Sequence, residues 1–202
     1  MGKTFLLILT GLSFVSSMAW GQEIKVTVKL LPQGAWGQSE QKLVQDAAEK
    51  AFRRMARAEV ANCAYRNAYK EKKDRLRKSW GNKIPVINKS RKVDITINKK
   101  KMKKGVLGRA RVDVADAERR HYTLRNLNID LNADAIFDFL DKKKDLKKDE
   151  LWVNVIAHEV AHNLGYRHGS GGTWADNYPG YFVTEIGFCA MTEGRHGSKK
   201  RY

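Results

Sequence analysis

Two hundred and two residues, 42% hydrophobic and 30% charged, describe one globular domain with enough apolar side chains for a core and too little chain for two comfortable ones. Thirty-nine Lys and Arg against 22 Asp and Glu leave a formal charge of +17, yet aliphatic and aromatic residues recur along most of the chain, which excludes a wholly disordered basic protein. With only three prolines and no block recurring at a fixed period, collagen-like, mucin-like and repeat architectures are excluded too.

Residues 1–21 open with Lys3, run apolar from Phe5 to Val15 and close on small residues around Ser17, Ala19 and Gly21. That is the layout of a secretory signal peptide, and the apolar run is too short to cross a bilayer, which takes about 20 residues. Cleavage after Gly21 would make Gln22 the new N-terminus, and cleavage after Ala19 is also acceptable. Lys3 is the only charge removed, so the exported chain carries +16. The expected location is outside the cytoplasm, extracellular or periplasmic, with no transmembrane segment.

Residues 23–31 (EIKVTVKLL) alternate Ile24, Val26, Val28 and Leu30 with polar neighbours, the period of a half-buried strand, and Pro32 and Gly34 end it. From about 39 to 80 the chain turns to good helix formers, with Leu43, Ala47, Ala51, Phe52 and Met55 at helical spacing. This predicts one long helix, straight or kinked, stopped at Gly81. Strand-like runs follow at 84–87, 93–98, 106–114 and 124–131. Residues 149–165 read as a second helix, with Asp149 and Glu150 in its first turn and Gly165 at its stop. The remainder, rich in Gly, aromatics and polar residues, reads as loops. The expectation is an α+β domain of five strands, a long backing helix, a second helix and an irregular tail. Cys63 and Cys189 are an even count in an exported chain, so one disulfide is the economical reading and two buried thiols the other.

The second helix carries His158, Glu159 and His162, followed by Gly165 and His168. Four residues apart, His158 and His162 project from one helix face, the spacing that grips a single zinc ion. Glu159 is offset around the helix, placed to reach a water on the metal. Gly165 can take the left-handed backbone that stops the helix and returns His168 as a third ligand. Three imidazoles leave a fourth position open, the mark of a catalytic zinc site.

These residues reproduce H-E-x-x-H-x-x-G-x-x-H, and the chain resembles the metzincin zinc endopeptidases. The resemblance implies a metzincin-like α+β fold: a five-stranded mixed twisted sheet, a long backing helix, the active-site helix and a small irregular C-terminal subdomain. It further implies one zinc ion on His158, His162 and His168, Glu159 as general base towards a zinc-bound water, and Met191 as the methionine turn beneath the imidazoles. Residues 22–168 would form the upper subdomain and 169–202 the lower, with residues 106–114 the edge strand along which substrate lies. The chain departs from the pattern at Glu193, where some metzincins place a Tyr ligand, and in having only eleven residues after Met191. Tyr178, Tyr181 and His196 are secondary candidates for stabilising the oxyanion.

Lysines cluster at 99–104, 142–148 and, with Arg, 199–201. Such runs are most often solvated loops, but +16 on one domain also draws in anionic partners, an acidic substrate or an anionic surface. No motif for specific nucleic-acid recognition accompanies them. The leading expectation is therefore a secreted zinc endopeptidase acting on protein or peptide substrates. Its alternatives are a basic, surface-binding protein with a non-proteolytic zinc site, or an amide or peptide hydrolase of narrow substrate.

Overall fold

The structure, a computed structural model, describes residues 24–70, 92–111, 127–142, 145–167 and 180–195. The expected signal peptide, the run at 84–87, His168 and the lysines at 199–201 lie outside them. Along the chain come β1 (Lys25–Leu31), α1 (Gln38–Met55), α2 (Ala58–Asn67), β2 (Lys92–Lys99), β3 (Gly108–Ala110), β4 (Leu127–Leu131), α3 (Ala133–Lys142), α4 (Lys148–Asn163) and α5 (Phe182–Met191).

The described strands form one mixed sheet in the order β1-β2-β4-β3. β1 runs parallel to β2, β2 parallel to β4, and β3 lies antiparallel to β4 at the end of the order. The register sets Val26 beside Val93, Val28 beside Ile95, and Ile97 beside both Leu30 and Ile129, so one face of the sheet is a continuous apolar surface. The opposite face carries Thr27, Lys29, Thr96, Asn98, Asn128 and Asp130, because successive side chains alternate across a strand. Helices α1 and α4 pack with the sheet, and Phe52, Met55, Trp152, Ile156 and Phe182 are fully buried in the resulting core. Each such side chain contributes about 1.5 to 3 kcal/mol of burial free energy.

Helix α4 is buried on every side from Leu151 to Ala161, which makes it the central element of the fold. Its first turn is held by charge. Arg54, at the end of α1 and 4% exposed, bonds Glu150 at 2.5 and 3.1 Å and Glu193 at 2.5 Å. The same guanidinium donates to the Ala190 and Met191 carbonyls at 2.9 and 3.1 Å, capping the C-terminus of α5. Lys50 adds contacts of 2.7 Å to both Asp149 and Glu150.

Cys63 on α2 and Cys189 on α5 form a disulfide, with Cα atoms 5.9 Å apart across a sequence separation of 126. Closing so long a loop restricts the unfolded chain by about 4 to 5 kcal/mol in the chain-entropy picture. No helix among the described residues is long and apolar enough to cross a membrane.

Several expectations change. Of the span 39–80, the described residues 39–70 form two helices and not one, broken after Ala56 at Arg57, where the backbone leaves the helical region (ψ 139°) with neither Gly nor Pro. The break lets Val60, Cys63 and Ala64 of α2 turn inward against α5, a tertiary gain that outweighs uniform helix propensity. Within the run at 106–114 the described residues 106–111 hold β3, and within 124–131 the described residues 127–131 form β4. The four described strands thus fall on four of the five expected runs, while the fifth, 84–87, lies outside the described residues. Helix α3 was not anticipated, although Ala133, Ile136 and Leu140 bury at helical spacing. The tail is not wholly irregular: α5 is a buried helix, and a Cβ at its Gly187 would come within 2.5 Å of Asn154 Oδ1, so the helix crosses α4 closely there. The C-terminal segment is thus built into the main core.

Candidate metal centre and the edge of strand β3

Polar side chains leave the buried helix α4 in two stripes, each four residues apart. Asn154, His158 and His162 form one, directed towards α5, and Glu159 with Asn163 forms the other, directed towards β3 and β4.

In the first stripe the imidazoles of His158 and His162 stand with ring centroids 4.9 Å apart at an interplanar angle of 77°. His158 is 9% exposed and His162 half-buried. The Tyr166 carbonyl lies 2.8 Å from His162 Nδ1. A carbonyl only accepts, so Nδ1 carries the proton and Nε2 is left as the lone-pair nitrogen, the state a metal ligand requires. Tyr166 is in reach because the chain reverses at Gly165, whose φ of +89° is the left-handed conformation expected there. The Gly165 N–H donates to His162 O at 2.9 Å and that of Tyr166 to Ala161 O at 3.1 Å, closing the last turn. Two of the three anticipated ligands are therefore side by side on one helix face, with the Nδ1 proton of one fixed. The third, His168, follows Arg167 outside the described residues, and among the described residues no three His, Cys, Asp or Glu side chains converge.

Met191 is the last residue of α5 and 7% exposed, so it ends a helix and does not sit in a loop. Its sulfur accepts from Asn154 Nδ2 at 3.8 Å, one helical turn before His158. Glu193, two residues on, is engaged by Arg54. Tyr181 precedes α5 with Lys70 Nζ 5.2 Å from its ring centroid, whereas Tyr178 and His196 lie outside the described residues.

The second stripe meets the sheet. Glu159 is 5% exposed, and a Cβ placed on Gly108 would come within 2.8 Å of its Oε1 and 2.9 Å of its Cγ. Only glycine leaves room for that carboxylate. Burial pushes the Glu159 carboxyl up to about 8, although the hydrogen bond from the Ala110 N–H and the charge of Arg109 pull the other way. A dication nearby would draw it back down. Asn163 clamps the end of the helix to β4: its Nδ2 donates to Asn128 O at 3.2 Å and its Oδ1 accepts from Asn128 N at 3.3 Å.

The ladder fixes which backbone groups of β3 point where. Arg111 N donates to Asn128 O and Asn132 N to Leu107 O, both at 2.9 Å, so odd-numbered residues turn their amides and carbonyls towards β4. Gly108 and Ala110 turn theirs outward, away from β4. The Ala110 N–H, which favours the ionised Glu159 carboxylate, is one of these outward groups. Glu159 thus stands at the outer edge of a strand with no further strand beside it among the described residues. Gly108, Ala110 and Asn163 were not singled out in the sequence. A glycine two residues from the end of a basic strand carries no mark of what it approaches, whereas the contact of Asn163 follows from its position four residues after Glu159.

Comparison with models of protein families, with curated proteins and with solved structures gives no match.

Proposed function

We propose that this protein is a zinc-dependent endopeptidase. The observation that carries the reading is the meeting of two things on the C-terminal half of α4: a pair of imidazoles presented together, and a carboxylate on the outer edge of β3. An extended peptide adds to such an edge through main-chain hydrogen bonds, and this would bring a scissile bond to Glu159.

His158, His162 and His168 would hold the ion. Zinc bound there would supply Lewis acidity, polarising a carbonyl and making water a competent nucleophile near neutral pH. The rest of the work falls to the chain. Glu159 accepts the proton of the attacking water and returns it to the leaving amine nitrogen. The backbone of Gly108 confines the carboxylate, and the Ala110 N–H favours its ionised form. Tyr166 O holds the His162 ring in register, and Asn163 keeps the end of α4 against β4. Buried α4 and α5 exclude water from beneath the site. Met191 would contribute to that floor.

The disulfide fits an oxidising compartment, in keeping with secretion after loss of residues 1–21. The test is digestion of a denatured peptide library by the purified, zinc-loaded protein beside a chelated sample and the Glu159→Gln variant. Cleavage by the wild type, lost on chelation and reduced at least about 100-fold in the variant, is the expected result. An equally silent wild type and variant would refute the reading.

A further inference from the structure

Residues 99–111 carry seven Lys and Arg and no Asp or Glu. This segment runs from the last residue of β2 through the turn into β3 and one residue past it, so the strongest run of positive charge among the described residues leads into the edge where Glu159 stands. Part of the charge is matched. Lys99 contacts Glu40 at 3.0 Å and Asp134 at 3.9 Å, and Asp130, 4% exposed, lies between Arg111 at 2.6 Å and Lys100 at 3.4 Å. Lys101, Lys103, Lys104 and Arg109 are exposed and form no ion pair among the described residues.

The geometry points to an acidic, extended peptide as the occupant of the outer edge of β3, with one carboxylate opposite Arg109 and others against Lys101, Lys103 and Lys104. As a statement about substrate it rests on the endopeptidase reading above. Backbone parity gives it a register. Gly108 turns its N–H and C=O outward, so an antiparallel peptide exchanges hydrogen bonds with Gly108 and sets its next residue opposite Arg109. That residue falls at a non-hydrogen-bonded position, where side chains approach most closely, about 4.5 to 5.5 Å between Cβ atoms. A carboxylate there meets a guanidinium, and a Lys or Arg there meets a like charge. The Lys101–Lys104 turn continues the same field beyond the end of the strand.

Edge lysines also discourage a second copy of a chain from pairing there. The two roles separate in the laboratory, because a guard against self-pairing has no reason to discriminate an acidic peptide from a neutral one at one register position. Fluorescent peptides of matched length, with Glu, Gln or Lys at the flanking positions, are titrated against the zinc-loaded Glu159→Gln protein by anisotropy, and their hydrolysis by the wild type is followed in parallel. The Glu peptide should bind about tenfold tighter than the Gln peptide and the Lys peptide weakest, with the advantage shrinking in salt. In Arg109→Glu the preference at one position should invert, and in Lys103→Gln/Lys104→Gln it should weaken at the positions beyond it.

Equal binding of Glu and Gln peptides, or a preference untouched by Arg109→Glu, overturns the proposal. Competition by inorganic polyphosphate as effective as that by the Glu peptide at equal charge overturns it as well, since that marks a diffuse field without register. If peptides are cleaved with no charge preference, the inference fails while the endopeptidase reading stands. If the inverted preference appears in binding and nothing is cleaved, acidic-peptide recognition stands and the endopeptidase reading fails.

Discussion

The two ends of α4 are tied down by opposite means. At the first turn, Asp149 and Glu150 are held by long cationic side chains from α1, in ion pairs that engage both carboxylates. At the last turn, the fixing groups are neutral and short: the Tyr166 carbonyl on His162, the Gly108 backbone against Glu159, and the Asn163 amide on one residue of β4. Neutral partners orient a side chain without consuming its charge or its lone pair. An end that anchors spends its charges on partners, and an end that reacts keeps them available.

The largest change in stability should come from breaking the anchoring end. Arg54→Ala leaves Glu150 partly unpaired and removes the donor from two α5 carbonyls, so it should cost about 3 to 5 kcal/mol in denaturant unfolding. A loss below about 1 kcal/mol would show that the cluster holds no more than a surface ion pair does.

A smaller effect on stability and a larger one on chemistry should mark the other end. Asn163→Ala removes the link between α4 and Asn128 and should cost about 1 to 2 kcal/mol. Peptide hydrolysis should fall by more than the loss of folded protein explains, because Glu159 and His162 lose their fixed relation to β3. Activity that tracks the folded fraction alone would make Asn163 a structural residue only.

The smallest effect is an acid limb. The Glu150 carboxyl lies below its ordinary 4.5: burial raises it, but hydrogen bonds from Arg54 and Lys50 outweigh burial. Asp149 lies below its ordinary 3.8, chiefly through the hydrogen bond from Lys50. Depressed carboxyls contribute stability above their unfolded values and lose it as pH falls through their folded ones. Lys50, raised above 10.5 by the same partners although burial opposes them, gives its share up only as pH rises through its folded value. Thermal unfolding from pH 6 towards about 2 should therefore show a decline that is shallower in Arg54→Ala.

How much of this was readable beforehand follows the same division. Wherever the pattern is local, the sequence announces it: the alternation of Val26, Val28 and Leu30 in β1, the spacing of His158 and His162, and Gly165 at the end of α4. The pairing of Cys63 with Cys189 was the economical reading of a count. Whatever depends on a distant partner was hidden. The break at Arg57 exists because α2 packs on α5, and nothing in a run of Ala, Glu and Arg records that. Helix α5 was concealed by Gly187 and by burial on nearly all sides, which erases the amphipathic signal. Helix α3 belongs to the local class, with Ala133, Ile136 and Leu140 in plain helical register. The role of Gly108 belongs to the hidden class, since it is defined by a side chain 51 positions away.

The most direct test of the central claim compares wild type with Glu159→Gln at matched zinc occupancy, scoring peptide cleavage by mass spectrometry. Equal zinc content, one ion per chain, with cleavage in the wild type and at least about 100-fold less in the variant, is the result expected if the imidazoles bind and the carboxylate at the edge of β3 reacts. Zinc bound in both and cleavage in neither, or cleavage that survives Glu159→Gln unchanged, would contradict it.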